Sequence, residues 1–449
     1  MVFPILHIPG LGDGMTIALD AVLHVLISHG LAIGFMTVLV LFQTLAWRGK
    51  GAFWARIARR LLGTAVVITT SVGAVTGVGI WFITGALAPE GIGALIHLFF
   101  WPWFIEWMAF TSEVSLLLIY YYLWDKLQES RPGLLAAVGW SYVTMAVISA
   151  ILISGILGFM LTPDAWPWGQ AFTEAYFNPT FIPQVFLRLG AGLCLGALLA
   201  LGWIAWRFDG TGPQRARALR CTGGLALGAA LVAGLSAWVY FSRIPATYLT
   251  HWKFAVATSY LSQLPDFLPL LNLAAALCIV LAALAGACRR PLLSRALCIP
   301  ALLCCVTLFM EFERVREFVR GPYLVPGYMY ANQIPLAENE ALLARNAPLL
   351  PRASWINVES KLSPRETAGR ALFAANCGVC HAESGINGID HRLAGRSLDG
   401  VAAMVGITQH LAPYMTPFTG SEEERLLLAH YIYGLATAHA GTDRTVKEK

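Results

Sequence analysis

The sequence predicts an all-α protein: a polytopic membrane bundle of about eight helices followed by a small soluble all-α domain. Three observations carry this. The 449 residues are 57% hydrophobic and only 13% charged, whereas a soluble globular protein carries about 25% charged residues. Eight apolar stretches are each long enough to span a bilayer. From Gly321 onward the composition turns polar, and from Ser363 it carries the start signals of soluble helices.

The apolar stretches lie at 15–46, 61–87, 93–124, 134–162, 181–206, 218–241, 266–288 and 293–313, separated by polar, Pro/Gly-containing or charged breaks. No internal repeat is visible. The 15 tryptophans suit interfacial belts. The N-terminus is uncharged and the first apolar run is long enough to span, which reads as the absence of a cleavable signal peptide.

Orientation follows from Lys/Arg placement. Arg48, Lys50, Arg56, Arg59 and Arg60 follow the first stretch, Lys126 and Arg131 the third, Arg207, Arg215, Arg217 and Arg220 the fifth, and Arg289, Arg290 and Arg295 the seventh. The alternate connections hold only Arg243 and Lys253, so the count is 14 against 2. The rich side reads as cytoplasmic, and eight helices then put both termini outside. The net charge of +5 resides in these orienting cations, and nothing resembles a nucleic-acid-binding patch.

Three regions follow: a transmembrane domain at 1–320, an ordered arm and linker at 321–362, and a soluble domain at 363–449. Ser363-Pro364-Arg365-Glu366 is a helix start, with Ser as N-cap, Pro at the first helical position and Glu at the third. Ser421-Glu422-Glu423-Glu424 begins another helix, running to about Ala438.

Seven of the nine cysteines lie in or beside apolar runs, where Cys behaves as a small hydrophobe. The other two belong to Cys377-Gly378-Val379-Cys380-His381, a C-x-x-C-H haem-attachment signature. Two thiols add to the two haem vinyl groups, and the adjacent imidazole reaches the iron. A redox or zinc C-x-x-C would not need the following His. Met415, 34 residues after His381 and just before the last helix, is the candidate for the opposite iron ligand. Met404, His391 and His410 are the alternatives. The 363–440 region resembles a class I cytochrome c, and thioether ligation raises the potential relative to bis-His ligation. Because bacterial haem c is attached outside the cytoplasmic membrane, motif and topology agree.

Ionisable groups inside a spanning helix cost about 2.5–3.5 kcal/mol each on insertion scales, which makes them functional candidates. The first helix carries His24 and His29. The third carries Glu106 and Glu113, with His97 near its outer end. The fifth carries Arg188, and the eighth ends in Glu311, Glu313, Arg314, Arg316, Glu317 and Arg320. Glu106 and Glu113 are two turns apart and share a face. Two carboxylates with a His from another helix can ligate iron or pass protons inward. The bland reading is a set of satisfied polar pairs, and it suits His29 and His97 better than the other three.

Several segments resemble cytochrome bd oxidase subunit I. They are Ala21-Val22-Leu23-His24 with Gly30-Leu31-Ala32-Ile33-Gly34; Pro102-Trp103-Phe104-Ile105-Glu106-Trp107-Met108-Ala109-Phe110 through Glu113 to Trp124-Asp125-Lys126; and Phe172-Thr173-Glu174 with Asn178-Pro179. The fourth, Glu317-Phe318-Val319-Arg320-Gly321-Pro322-Tyr323, is similar to the family's Gly-Arg-Gln-Pro-Trp signature and its preceding glutamate. The resemblance covers about 15–330. It implies that His24 is a haem ligand and that Glu106 is the carboxylate at the dioxygen-reducing haem. Glu113, one residue closer than in the family, would serve proton supply or the haem pair. Arg320 would belong to a haem-binding set. Glu311 is the nearest carboxylate to the family's late glutamate ligand of the other high-spin haem, displaced by one in register. The positions matching the low-spin haem's His and Met are Leu187 and Ala274, and neither can ligate. The long quinol-binding loop is also missing: only about 25 residues join the sixth and seventh helices.

The cofactors so implied are one covalent haem c and one or two non-covalent haems of b or d type. The implied function is a bacterial inner-membrane haem protein passing electrons between an outward-facing haem c and membrane haems. The end acceptor would be dioxygen or a similar small molecule, as in a cytochrome c-fed bd-type terminal oxidase or reductase subunit. A periplasmic redox partner would serve it, and the heterodimeric family implies a second membrane subunit. Two readings compete: a cytochrome subunit relaying electrons in a larger respiratory complex without oxygen reduction, and a bundle that merely anchors the haem c.

Overall fold

The computed structural model describes residues 5–6, 8, 10–164, 166, 172–250, 252, 267–353, 355–356, 362–385 and 388–447; Lys253 is outside that set. The membrane part consists of α1 (Asp13–Trp47), α2 (Phe53–Leu87), α3 (Pro89–Leu98), α4 (Phe100–Tyr122), α5 (Pro132–Phe159), α6 (Phe181–Arg207), α7 (Gly212–Arg243), α8 (Phe267–Ala287) and α9 (Pro291–Phe318). Among the described residues, seven helices are long and apolar enough to cross a membrane, and the bent pair α3–α4 makes an eighth.

Helix starts follow local chemistry. Proline sits in the first turn of α3, α5, α7 and α9, where its missing N–H leaves no intrahelical bond unmade. Thr211 and Gln214 close a reciprocal capping box on α7. The stretch read as one span over 93–124 breaks at Phe99, with a 93° bend between α3 and α4. Pro102, in the first turn of α4, explains the break. A continuous helix would need its absent N–H and would drive its ring into the carbonyl of residue 98. Phe99 fills the corner, buried against Phe159, Phe172 and Tyr176.

α6 is the central helix, with 72% of its spanning window buried. It meets α1 through Gly192 and Gly196, where a Cβ would run into the α1 backbone near His29 and Gly34. Such small-residue seams let helices pack closely in lipid, where hydrophobic burial between helices gives no drive. α2, α7 and α8 are peripheral, with 17–22% of their windows buried, and turn Phe82, Trp238 and Leu270 outward. At the cation-rich end, Arg59 pairs with Asp125 at 2.6 Å and Arg60 with Asp209 at 3.6 Å.

Beyond α9 the all-α pattern has one small exception, a hairpin of β1 (Tyr323–Val325) and β2 (Met329–Tyr330). α10 (Leu336–Ala344) follows. The region read as an arm and linker is divided by its packing. Val325 and Met329 bury against Leu95 and Phe99 of the membrane part, and the Gln333 side chain accepts from the Glu90 and Gly91 amides at 3.1 and 3.2 Å. Leu342, Leu349 and Ala353 bury instead against Ala375 of the soluble domain.

The soluble domain contains α11 (Pro364–Asn376), α12 (Ile389–Arg392), α13 (Leu398–Gly406) and α14 (Glu422–Lys447). The Ser363–Glu366 capping box forms as its sequence requires. α14 begins where Ser421 and Glu424 cap each other and continues past Ala438 to Lys447. Leu372, Phe373, Val401, Val405, Leu428 and Ile432 make the core. This domain rests on the cation-poor end of the bundle: Ala382 lies against Gly12, Gly385 against the Gly10 carbonyl, and the Val379 carbonyl against Gly14.

Candidate functional site

The C-x-x-C-H segment forms a tight turn at the end of α11. Cys377 is that helix's C-cap, and its carbonyl accepts from the amides of Cys380 at 3.0 Å and His381 at 2.8 Å. Three polar contacts fix the turn. Arg370 donates to Glu383 at 2.7 and 3.3 Å, the Tyr431 hydroxyl donates to the same carboxylate at 2.7 Å, and the Thr419 amide donates to the Asn376 side chain at 2.9 Å. α11, the attachment turn and α14 are thereby locked together. Burial and the Glu383 carboxylate hold the Tyr431 phenol above its ordinary range.

Met415 lies in the loop before α14, with its amide bonded to the Ala412 carbonyl at 3.1 Å. The Thr408 hydroxyl braces this loop through the Thr416 carbonyl at 2.7 Å. Tyr414 is close enough to Cys380 and Arg392 to interact electrostatically with both. The alternatives are engaged or turned away: Met404 packs into the apolar core, His391 faces Asp390 at 3.1 Å, and His410 is exposed.

In the bundle, His24, Glu106 and Glu113 line one small cleft of about 50 Å³ between α1, α2, α4 and α5. His24 Nδ1 is 3.2 Å from the Gly73 carbonyl and 3.2 Å from the Thr76 hydroxyl. A carbonyl can only accept, so Nδ1 carries the proton and Nε2 keeps its lone pair, the arrangement in which an imidazole ligates iron. A Cβ at Gly77 would sit 2.9 Å from the His24 ring, so that glycine makes room for it. Glu106 accepts from the Ser149 hydroxyl at 2.8 Å. The Tyr142 hydroxyl gives its one proton to the Ala32 carbonyl at 2.6 Å and lies 3.4 Å from the Glu113 carboxyl. Two π-helical stretches, Ser28–Phe35 in α1 and Thr69–Gly73 in α2, border the cleft. Such widened turns concentrate at functional sites.

The donor chemistry fits porphyrin-bound iron. Among the described residues no three His, Cys, Asp or Glu side chains converge as a bare ion's ligand set, and a porphyrin iron needs only one or two protein donors. His97 is exposed on α3 and takes no part.

The end of α9 divides by face. Glu311 turns toward α8 and accepts from Asn272 at 2.6 Å, away from the residues lining the cleft. Glu313, Arg316, Glu317 and Arg320, spaced at three, four and seven residues, form a ladder on another face. Arg188 donates to Glu313 at 2.6 Å with side-chain exposures of 1% and 5%, Arg316 lies 3.3 Å from Glu313, and Arg320 lies 2.7 Å from Glu317. Arg320 and Glu317 are within electrostatic reach of Cys380. The i, i+3, i+4 spacing of opposite charges is a sequence signal that could have found this ladder. Nothing in the sequence pointed to Arg188 as its partner, or to Ser149 and Tyr142 as the hydroxyls on the two glutamates. Leu187 is buried among Tyr240, Phe309 and Phe312, and Ala274 is exposed on α8.

A polar, His-bearing cleft inside a membrane bundle, with a C-x-x-C-H turn docked on that bundle, defines a transmembrane haem protein joined to a c-type cytochrome. The chain belongs to the cytochrome bd terminal oxidase subunit I family, whose model matches residues 15–240, half of the chain. Residues 364–432 match the model for cytochrome c oxidase, cbb3-type, subunit III. The fold is similar to the bd oxidase from Geobacillus thermodenitrificans, at 17% identity and a TM-score of 0.59, covering 75% of this chain and 94% of that one. No curated protein sequence matches the chain. The protein is accordingly a membrane haem protein of electron transfer, carrying covalent haem c and a bd-type membrane domain.

Proposed function

We propose that electrons pass between haem c in the soluble domain and one or two non-covalent haems, b or d type, in the bundle, and thence to dioxygen or a similar small acceptor. The observation that supports this most is the docking of the attachment turn on α1, the helix that carries His24. Haem supplies one-electron chemistry and, where iron keeps an open position, a place for a small acceptor to bind.

The chain's own residues have separable tasks. Cys377 and Cys380 would bond the haem c, and His381 and Met415 would ligate its iron. His24 offers Nε2 to membrane haem iron. Arg320 serves haem binding at the outer end of α9; Glu311, the further iron ligand that the family resemblance implies, faces Asn272 on α8 and could serve only a haem on that side of α9. Glu106 and Glu113 hold and pass protons, since reducing one dioxygen to two waters consumes four protons with four electrons. Leu187 and Ala274 leave the family's low-spin haem without its ligands, so the cytochrome domain replaces quinol as the electron entrance. The cation bias supports a periplasmic position for that domain on the bacterial inner membrane, where a soluble redox partner would reach it. A second membrane subunit completes the assembly, as in the heterodimeric family.

Purified full-length protein tests this by its haem content and its oxygen uptake with a reduced soluble cytochrome as donor. We expect haem c plus non-covalent haem, and uptake that is lost in Glu106→Gln. Haem c alone would overturn the reading. Non-covalent haem without oxygen uptake would favour an electron relay within a larger complex.

A further inference from the structure

The two histidines of α1 face different compartments. His24 turns toward α2 and the cleft, whereas His29 turns toward α6 and α9. Its ring lies edge-on to Phe309 at 6.2 Å, and Gly192 lacks the Cβ that would approach the His29 backbone. His29 is 6% exposed. Its Nδ1 lies 3.1 Å from the Ser28 hydroxyl, whose own proton goes to the Val25 carbonyl at 3.4 Å. That hydroxyl therefore accepts from Nδ1–H, and Nε2 presents a bare lone pair. Nε2 is fully buried and has no hydrogen-bond partner. An unpaired buried polar atom is costly, so a buried lone pair kept this way needs a use.

The same compartment contains unpaired donors. Arg188 uses Nη2 on Glu313, while its Nε and Nη1 are buried without partners, as are Arg316 Nη1 and the Tyr240 hydroxyl. Arg188 lies over the Phe312 ring at 5.9 Å, and Tyr240 packs on that ring at 5.2 Å. Arg188, Arg316 and Arg320 face two carboxylates, Glu313 and Glu317, leaving an excess of one positive charge. Leu187, the position matching the lost low-spin ligand, belongs to this compartment.

We infer that His29 is an iron ligand of a non-covalent haem held between α1, α6 and α9, at a site distinct from the His24 cleft, with Arg188 and Arg316 receiving its carboxylates. The inference rests on the proposed presence of non-covalent haem in the bundle. His29 lies five residues beyond His24, about 140° further round the helix at 3.6 residues per turn, so the ligand comes from α1 instead of from position 187.

The test uses full-length holoprotein in detergent, with non-covalent and c-type haem counted separately and each midpoint potential titrated. In His29→Phe we expect one equivalent of non-covalent haem to be lost while haem c stays complete. In His29→Met we expect haem to be kept with a changed spectrum and a displaced potential. Unchanged haem content and spectra in both variants would overturn the inference, leaving the haem at His24 intact. Haem c alone in the unmodified protein would instead overturn the proposed function on which it rests.

Discussion

The Val379 carbonyl of the haem-attachment turn lies directly against Gly14 in the first turn of α1. His24 follows ten residues later on the same helix, about 15 Å along its axis at 1.5 Å per residue. Only a residue without a Cβ permits this approach, so the spacing between the two redox regions depends on one hydrogen atom's worth of volume. Gly14→Leu should lift the cytochrome domain away without touching any haem ligand. Flash or stopped-flow kinetics should then show markedly slower electron exchange between haem c and the membrane haem, with both spectra unchanged.

Met415 is the second test of the cytochrome domain. If its sulfur holds the iron opposite His381, Met415→His should keep the haem but lower its midpoint by roughly 0.1–0.3 V, well within the span of about 0.8 V that axial ligands set. Potentiometric titration reads this directly, and an unmoved potential would remove Met415 from the ligand set.

Glu424 joins the arm to the cytochrome domain. Its carboxylate accepts from the amides of Leu349 at 2.7 Å, Leu350 at 2.9 Å and Ser421 at 3.1 Å, and it is 5% exposed. Hydrogen bonds to a charged group contribute about 1.5–3 kcal/mol each. Glu424→Ala should therefore destabilise the domain by at least about 2 kcal/mol and open the 345–353 segment to protease. Thermal melting followed at the haem c band, with limited proteolysis, measures both effects.

The Arg188–Glu313 pair should behave asymmetrically. Removing one partner leaves a buried charge and should cost about 3–5 kcal/mol, whereas replacing both with apolar residues should be close to neutral. Glu313→Leu, which leaves Arg188 and Arg316 facing only Glu317, should thus lower the melting temperature in detergent, and Glu313→Leu with Arg188→Met should recover most of the loss. If the carboxylates of a haem use Arg188, the double variant will be stable yet bind that haem less completely.

Local chemistry made much of this legible. The C-x-x-C-H turn, the Ser363 capping box, the ends of most spanning helices and the shared face of Glu106 and Glu113 all depend on residues close in sequence. What escaped depends on tertiary neighbours. Hydropathy runs smoothly through 93–124, so the corner at Phe99 was visible only in Pro102. The polar arm gave no sign that Val325 and Leu342 pack on different domains. Glu311 and Glu317 are equally acidic in sequence, and only the facing of α9 puts one against Asn272 and the other beside Arg320 and Cys380. His29 likewise reads in sequence as an ordinary core histidine, and its unpartnered Nε2 is a property of tertiary packing.

The central claim is that a redox-active, ligand-accepting haem resides in the bundle beneath the cytochrome domain. The most direct measurement is the reduced-plus-CO minus reduced difference spectrum of the purified protein, alone and as His24→Ala and Glu106→Gln. The account predicts a CO-induced change in a non-covalent haem, altered or abolished by these substitutions while the haem c bands stay in place. A protein whose haems are all low-spin and indifferent to CO would contradict it.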